Sequence, residues 1–427
     1  MARYSRRTFI RSAGAVAATA PFVMSSARGQ APAGERVRLA VIGTGGRGKG
    51  HCRMFRRLDD CDVVAVCDVD PGRRKDAAKE AGGPDGVAAY EDFRRLLDED
   101  SIDAVSIATC DHWHVPVALA AMMAGKHVYV EKPCSHNVHE SNLLVRAAKD
   151  LGKCVQHGTQ SRSRGDIQEG VRRLRDGVLG KTLAAKAINH QRRREIGRAK
   201  ATDPPRGVNY DLWLGPAPKH AFTKNRWHYN WHWFWDYGTG DLGNDGIHQL
   251  DIARWGLGVG YPDAVVASGA QLFYEDDHQT PDTQNVTYEY GDCHLIYEMR
   301  LWAPYKLEGH TNGVVFYGTD GRMEVGRGGV RVIRPDGKTE QIEGEGGQDM
   351  ARNFVDAVKA DDPSLLCAPI EEGAISANLC HLGNIGTRLG SRKLAYDPGK
   401  EGIVGDPEAN ALLKRDYREP YGLPYAS

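Results

Sequence analysis

The feature that most constrains the fold is a glycine-rich turn between two apolar strands. Residues 37–42 and 63–67 are apolar and typical of buried strands, and the second stretch ends at Asp68. In a βαβ unit the first glycine allows a tight turn, the second lets the backbone approach a pyrophosphate, and the third lets the helix pack on the strand. The turn reads Gly43, Thr44, Gly45, Gly46, Arg47 and Gly48. With Asp68 accepting the ribose hydroxyls, this order predicts a dinucleotide site.

Asp68 also indicates which dinucleotide is bound. Its negative charge would repel the additional phosphate of NADP, so NAD is favoured. Arg73 and Arg74 follow shortly after and could hold that phosphate, although the solvated face of a helix is the simpler interpretation. We predict NAD as the cofactor, with NADP as the less favoured alternative.

Residues 35–160 alternate between strand and helix patterns. Further apolar strands are predicted at 104–108, 127–130 and 154–156, each separated from the next by a helical pattern. This rhythm predicts a Rossmann domain with a doubly wound parallel sheet, whose ligand lies beyond the carboxyl ends of the strands. The polar residues expected to line that groove are Thr109, His112, His114, Glu131 and Lys132.

From residue 161 the pattern changes. Strands are predicted at 183–189, 264–274, 284–290, 294–301 and 313–317, with helices at 246–255, 349–360 and 370–389. The sequence therefore predicts a second domain over residues 161–427. It has a largely antiparallel sheet, C-terminal helices and an ordered tail, so the fold class is α/β followed by α+β.

The N-terminus carries a possible targeting segment. Ser5-Arg6-Arg7-Thr8-Phe9-Ile10 is a twin-arginine pattern, followed by a short apolar stretch and small residues. Residues 1–34 are therefore interpreted as a Tat export signal and linker, which predicts a periplasmic protein without a stable membrane anchor. A chance basic and apolar N-terminus is the alternative. Because no dissolved NAD pool is expected outside the cytoplasm, an exported enzyme should hold its cofactor tightly and regenerate it within its own cycle.

Composition argues against several other classes. The chain has 56 Lys and Arg and 56 Asp and Glu, so no net charge favours nucleic acid or an anionic membrane. Its nine cysteines form no CxxC pair, which argues against a zinc ribbon or a disulfide framework.

Residues 227–237 are exceptionally aromatic. Every odd position carries an aromatic ring, and this alternation predicts an extended segment with one aromatic face. Aromatic rings stack on sugar C–H faces while polar side chains bind the hydroxyls, so we expect carbohydrate contact. An aromatic core or a subunit interface is the alternative. The predicted substrate contacts are His228, His232, Trp233, Asp236 and Tyr237. No metal is predicted, because the nearby His and Asp residues match no known ligand spacing.

Taken together, these motifs resemble the Gfo/Idh/MocA oxidoreductases. The resemblance rests on the glycine turn, His112-Trp113-His114, Glu131-Lys132-Pro133 and the helix with His248 and Asp251. It implies that Lys132 lies at the nicotinamide and the substrate hydroxyl, and that His248 completes a proton relay. It also implies that the sheet domain supplies sugar contacts and often the interface of a homo-dimer or homo-tetramer.

One position departs from the pattern of that family. Asn244 stands four residues before His248, where an aspartate is usual, and Asp245 follows it. An amide cannot act as a base, so either Asp245 substitutes for the aspartate or His248 works with Lys132 alone. Positions 244 and 248 of a regular helix would share one face.

The sequence thus predicts an exported NAD-dependent enzyme that oxidises a carbohydrate CH–OH group. Two alternatives remain open. One is a redox-neutral glycosidase, since the family includes NAD-dependent glycosidases. The other is a non-catalytic sugar-binding protein with a structural NAD, which Asn244 keeps open.

Overall fold

The computed structural model describes residues 36–83 and 86–425. The predicted export signal lies outside this part of the chain. The described residues form a six-stranded sheet, a nine-stranded sheet and one two-stranded ribbon. No helix in the described part is long and apolar enough to cross a membrane.

The first sheet is parallel, with strand order β3-β2-β1-β4-β5-β6. All residues of β4 and nearly all of β1 are buried, as expected for strands covered by helices on both faces. The strands are β1 (Val37–Ile42), β2 (Cys61–Cys67), β3 (Ala88–Tyr90), β4 (Ala104–Ile107), β5 (His127–Val130) and β6 (Val155–His157). The helices are α1 (Gly46–Arg56), α2 (Pro71–Gly82), α3 (Phe93–Leu97), α4 (Asp111–Met123) and α5 (Val138–Asp150). The doubly wound sheet predicted from the sequence is confirmed.

The second sheet is mostly antiparallel, with order β14-β13-β12-β11-β7-β10-β9-β8-β15, and only β7 and β10 run parallel. Burial alternates along β9 and β10, so one face of the sheet is covered. Its strands are β7 (Thr182–Asn189), β8 (Ala264–Ala270), β9 (Thr283–Tyr290), β10 (Cys293–Arg300), β11 (Asn312–Gly318), β12 (Gly321–Gly326), β13 (Gly329–Ile333), β14 (Thr339–Ile342) and β15 (Lys393–Leu394). A ribbon of β16 (Tyr396–Asp397) and β17 (Gly402–Ile403) follows. The antiparallel sheet is confirmed, although the sequence analysis missed β12 to β14.

The remaining helices follow β6 in the chain, and several of them pack on the two sheets. They are α6 (Gly165–Arg175), α7 (Tyr210–Leu214), α8 (Ile247–Leu257), α9 (Met350–Ala360), α10 (Ile370–Arg388) and α11 (Pro407–Ala411). Helices α8 and α10 contact the second sheet. Helix α9 instead packs on the first: the ring centroid of Phe354 lies 6.1 Å from that of Phe55 and 5.8 Å from that of Tyr129. The Rossmann core is therefore completed by a helix more than 180 residues further along the chain.

The aromatic segment differs from the expectation. Residues His228–Trp233 form a 3₁₀ helix, so the predicted extended conformation is wrong. Side chains three residues apart align in a 3₁₀ helix, which brings the rings of Tyr229 and His232 to a centroid separation of 4.6 Å. The alternation of ring and polar residues therefore does not separate two faces. Trp233 and Tyr237 are almost fully buried core residues.

The structure also shows the state of the cysteines and the placement of possible metal ligands. All nine cysteines lie in the described residues and none is paired. Across residues 36–83 and 86–425, no group of three or more His, Cys, Asp or Glu side chains is placed to hold a metal.

Replacing Phe354 with Ala tests the docking of α9. The ring is fully buried against two other rings, so its loss should cost about 3–5 kcal/mol of unfolding free energy, measured by denaturant titration. Phe354→Leu, which keeps most of the volume, should cost far less. A loss below about 1 kcal/mol for the Ala variant would show that α9 is not part of this core.

Candidate functional site

A cavity of about 450 Å³ lies over the carboxyl ends of β1, β2, β4 and β5. Its floor comes from the Rossmann domain and its roof from residues 212–232. The floor residues include Gly43, Gly45, Gly46, Arg47, Asp68, Thr109, His114, Glu131 and Lys132. The roof residues include Leu212, Trp213, Trp227, His228, Tyr229, Trp231 and His232. The two halves of the chain therefore enclose one site.

The glycine turn has the geometry that a dinucleotide phosphate needs. Gly43 has φ +84°, and a Cβ there would lie 2.6 Å from the carbonyl carbon of Ala108. A Cβ on Gly48 would lie 1.9 Å from the carbonyl oxygen of Gly43. Around Gly46, by contrast, no atom lies within 4 Å of the Cβ position, which leaves open space at the N-terminus of α1. The turn is thus closed on its protein side and open on the side where phosphate would bind.

Asp68 is fixed beside this turn by backbone donors. Its carboxylate accepts hydrogen bonds from the Thr44 amide at 2.7 Å and from the Asp70 amide at 2.9 Å. Burial raises the pKa of Asp68, and these hydrogen bonds oppose that shift. Asp68 Oδ2 also accepts the Thr44 hydroxyl at 3.1 Å, whereas among the described residues Oδ1 accepts only the Asp70 amide and keeps a lone pair for a ribose hydroxyl. The cavity fits the adenosine half of a dinucleotide.

A buried carboxylate supports the opposite end of the cavity. Glu131 Oε1 lies 2.6 Å from Arg47 Nε and 3.0 Å from His51 Nε2, and Glu131 Oε2 accepts the Lys132 amide. Burial alone would raise the pKa of Glu131. The His51 hydrogen bond and the positive charge of Arg47 outweigh burial and hold that pKa well below its usual value. The charged Glu131 therefore fixes the backbone at which Lys132 leaves the strand.

Lys132 reaches across to the second domain. Its ammonium donates to the Asn244 carbonyl oxygen at 2.5 Å and to Asn244 Oδ1 at 3.0 Å. The Asn244 amide nitrogen donates to Asp241 Oδ1 at 2.7 Å, which fixes which end of the amide faces the lysine. Arg193 then pairs with Asp241, with Nη2 2.8 Å from Oδ1. Lys132, Asn244, Asp241 and Arg193 thus form one continuous chain of hydrogen bonds.

Asp245 and His248 lie next to this chain. A π-helical turn, Leu242–Gly246, precedes α8, so Asn244 and His248 do not belong to one regular helix as predicted. Burial and the nearby Asp241 charge raise the pKa of Asp245 to about 6. Burial and the Lys132 charge lower the pKa of His248 to about 4, so its imidazole is neutral at pH 7. Both side chains therefore respond to the charges around Lys132.

Several predicted contacts lie away from the cavity. His112 is buried and donates from Nε2 to the Trp213 carbonyl oxygen at 3.1 Å, so it holds the roof. Trp233 and Tyr237 belong to the core, and Asp236 faces His220 at 2.8 Å. The structure therefore brings His228 and His232 to the cavity but not these other residues. Thr44 and Gly48 shape the turn from behind its exposed surface.

The sequence analysis missed other residues of the site. Tyr229 is 52% exposed and lies in the cavity lining, next to Asn244 in space. Asp241 and Arg193 organise Asn244, and the roof tryptophan Trp213 comes from the short helix α7. The run of three arginines at 192–194 was the sequence signal that could have identified Arg193. Nothing local in the sequence indicates that Trp213 covers the glycine turn.

Gly48→Ala tests the phosphate turn. The new Cβ would collide with Gly43, so the turn must open and NAD affinity should fall at least about tenfold in calorimetric titration. Gly50→Ala is a matched control on the same helix, because nothing lies within 4 Å of its Cβ position. Equal affinities for the two variants would rule out this turn as the cofactor site.

Comparison with known proteins identifies the two domains. Residues 37–159 match the model "Oxidoreductase family, NAD-binding Rossmann fold". Residues 193–423 match "Oxidoreductase family, C-terminal alpha/beta domain". A levoglucosan dehydrogenase structure in complex with NADH and levoglucosan has the same fold, with TM-score 0.64, 18% identity, and coverage of 84% of this chain and 99% of that one.

Two curated relatives are also similar. A glycosyl hydrolase family 109 protein of Stenotrophomonas maltophilia is 31% identical over 233 residues, which is 52% of this chain and 49% of that protein. The match thus spans about half the length of that relative. Inositol 2-dehydrogenase 2 of Saccharopolyspora erythraea is 27% identical over 318 residues, covering 74% of this chain and 79% of that protein.

The two model matches together span most of the chain, and the first covers the glycine turn and Asp68 that line the cavity. The chain belongs to the Gfo/Idh/MocA oxidoreductase family and binds NAD in its N-terminal domain.

Proposed function

We propose that this protein is an NAD-dependent oxidoreductase that oxidises a carbohydrate CH–OH group. One observation carries the proposal. The Lys132 ammonium lies in the same cavity as the glycine turn, and its position is fixed by two acceptors on Asn244. A proton-transferring group is thus held where the cofactor groove meets the second domain.

The residues divide the chemistry between them. The glycine turn and Asp68 would hold NAD, which supplies a hydride acceptor when bound. Lys132, once deprotonated, takes the proton from the substrate hydroxyl. Asn244 orients Lys132 with a neutral acceptor and adds no negative charge beside it. His248, neutral at pH 7, and Asp245, with a pKa of about 6, both interact with the Lys132 charge and would pass that proton on.

A carbohydrate substrate is supported by an aromatic ring in the same cavity as Lys132. The half-exposed ring of Tyr229 offers a face for a sugar ring, and the Lys132 ammonium offers a polar group for its hydroxyls. The similar proteins include a levoglucosan dehydrogenase and an inositol 2-dehydrogenase, whose names give levoglucosan and inositol as their substrates.

We also propose that the cofactor is retained. The tail after α11 fastens the roof of the cavity: Arg418 donates from Nε to the Gly215 carbonyl oxygen at 2.9 Å. Arg415 donates to the His112 carbonyl oxygen at 2.7 Å, below the same roof. A bound dinucleotide would lie under this fastened roof. Retention accords with export of a folded holoprotein to the periplasm and with internal regeneration of the cofactor.

We further propose that the protein assembles as a homo-dimer or homo-tetramer.

A redox-neutral glycosidase is the second candidate. The glycosyl hydrolase relative, 31% identical, favours it. In that cycle the sugar is oxidised, loses its glycosidic substituent by elimination, takes up water and is reduced again. The same Lys132 would act in the first and last steps. A structural NAD in a non-catalytic sugar-binding protein is the third candidate.

Lys132→Met separates these candidates. We expect the purified protein to contain nicotinamide whose absorbance changes with one class of sugar or glycoside. The variant should keep its cofactor but lose at least about 100-fold in turnover, because a general base is removed. Lys149→Met, at an exposed lysine on α5, is the control. Release of a free sugar without net reduction would favour the glycosidase. Unchanged behaviour of the Lys132 variant would leave only the binding protein.

Asn244→Asp tests the neutral acceptor. A carboxylate beside the Lys132 ammonium would form an ion pair that the neutral amide does not form, so turnover should fall by at least about tenfold. Asn285→Asp on the exposed side of β9 should leave turnover unchanged. Unchanged turnover for Asn244→Asp would mean that the reaction does not need a neutral acceptor at this position.

A further inference from the structure

A second cavity lies beside the first and is not used by the chemistry above. Its volume is about 700 Å³. It is lined by Arg192, Arg193, Arg194, Glu195, Phe273 and Tyr274. Arginine forks and exposed aromatic rings both favour specific ligand contacts.

Arg193 connects the two cavities. It lines the second one, and its guanidinium pairs with Asp241, which fixes Asn244 against Lys132 in the first. Arg193 also lies near Tyr229, which lines the first cavity. A molecule bound at Lys132 and long enough to pass Tyr229 and Arg193 would therefore reach the second cavity.

The arginines on either side of Arg193 are available to a ligand. Arg192 and Arg194 are exposed, and neither has an ion-pair or hydrogen-bond partner among residues 36–83 and 86–425. The charge of Arg193 is already neutralised by Asp241, and Glu195 opposes one of the other two. The free groups of this cavity thus carry a net positive charge. A guanidinium fork matches an oxyanion such as a carboxylate or a sulfate ester, and Arg192 and Arg194 both line this cavity.

The aromatic ring of this cavity is held outward by a rigid loop. The buried carboxylate of Asp282 accepts the amides of Leu272, Phe273 and Tyr274, with Asp282 Oδ2 2.8 Å from the Phe273 nitrogen. Phe273 is nevertheless 52% exposed, and one side of its ring stacks on Trp302 with centroids 5.9 Å apart. The Tyr274 hydroxyl donates to the Arg193 carbonyl oxygen at 2.6 Å, which connects this loop to the arginine run. A half-exposed ring in a fixed position offers a stacking surface for a sugar.

We propose that this cavity binds a second sugar unit that carries an oxyanion, so that the substrate is an acidic oligosaccharide or glycoside. The inference rests on the proposed function, which places the reacting sugar at Lys132. The second unit stacks on Phe273 and its carboxylate or sulfate contacts Arg192 and Arg194.

The test compares three forms of one oligosaccharide: cellotriose, cellotriose oxidised to carboxylates at C6, and cellotriose sulfated at C6. Calorimetry on the holoprotein should give tighter binding of an anionic form than of the neutral one. Arg192→Gln with Arg194→Gln should weaken that form by about tenfold for each arginine and leave the neutral form unchanged. The preference between carboxylate and sulfate identifies the oxyanion. Arg198→Gln, at an exposed arginine of the same segment outside the cavity, is the control.

Phe273→Ala should weaken all three forms alike, since stacking does not depend on the charge. Equal binding of neutral and anionic forms, or no binding of any form, would overturn the inference. So would a change of sedimentation mass in the arginine variants without a change in binding, because the face would then be a subunit contact. Tight anionic binding with a cofactor that never changes redox state would instead refute the proposed function and keep the subsite.

Discussion

The hydrogen bond between Lys132 and Asn244 is the contact on which the arrangement of the site depends. Lys132 comes from the end of β5 in the Rossmann sheet, and Asn244 comes from the π-helical turn before α8. An ammonium inside a partly buried cavity must keep acceptors or lose its charge. This contact therefore holds the end of β5 against the turn before α8, at the point where substrate and cofactor would meet.

The contact between Lys132 and Asn244 is supported by a further hydrogen bond and an ion pair. Asn244 can offer its oxygen to Lys132 only if its nitrogen has another acceptor, and Asp241 provides one. Asp241 is a buried carboxylate. A bidentate ion pair with Arg193 offsets the free-energy cost of its desolvation. Removing one partner of such a pair costs about 3–5 kcal/mol, because it leaves the other charge buried and alone. The precision at Lys132 thus depends on residues that the substrate never touches.

The first domain was predictable because its signals are local. A glycine turn, an acid 25 residues after Gly43 and a strand ending in Glu131-Lys132 all lie within short stretches whose geometry follows from sequence order. The roof was not predictable, because Trp213 and Trp227 reach the cofactor groove only through the tertiary fold. The alternation in residues 227–237 was misinterpreted for a related reason. Trp233 and Tyr237 are core residues, and the segment begins with a 3₁₀ helix, so its aromatic residues do not follow a strand pleat.

The departure at position 244 has a different meaning in the structure from the one suggested by the sequence. In the sequence, Asn244 weakens the case for catalysis because an amide is not a base. In the structure, the Asn244 side chain holds Lys132 in position, and the carboxylates lie at the neighbouring positions 241 and 245. Asp241 carries the negative charge one turn away and is neutralised by Arg193, while Asp245 has its pKa raised to about 6 by burial and by Asp241. A neutral acceptor at position 244 orients Lys132 without adding a second carboxylate to the charged Glu131 that already adjoins it, and an ion pair at this contact would oppose the transfer of a proton from the sugar hydroxyl to the lysine.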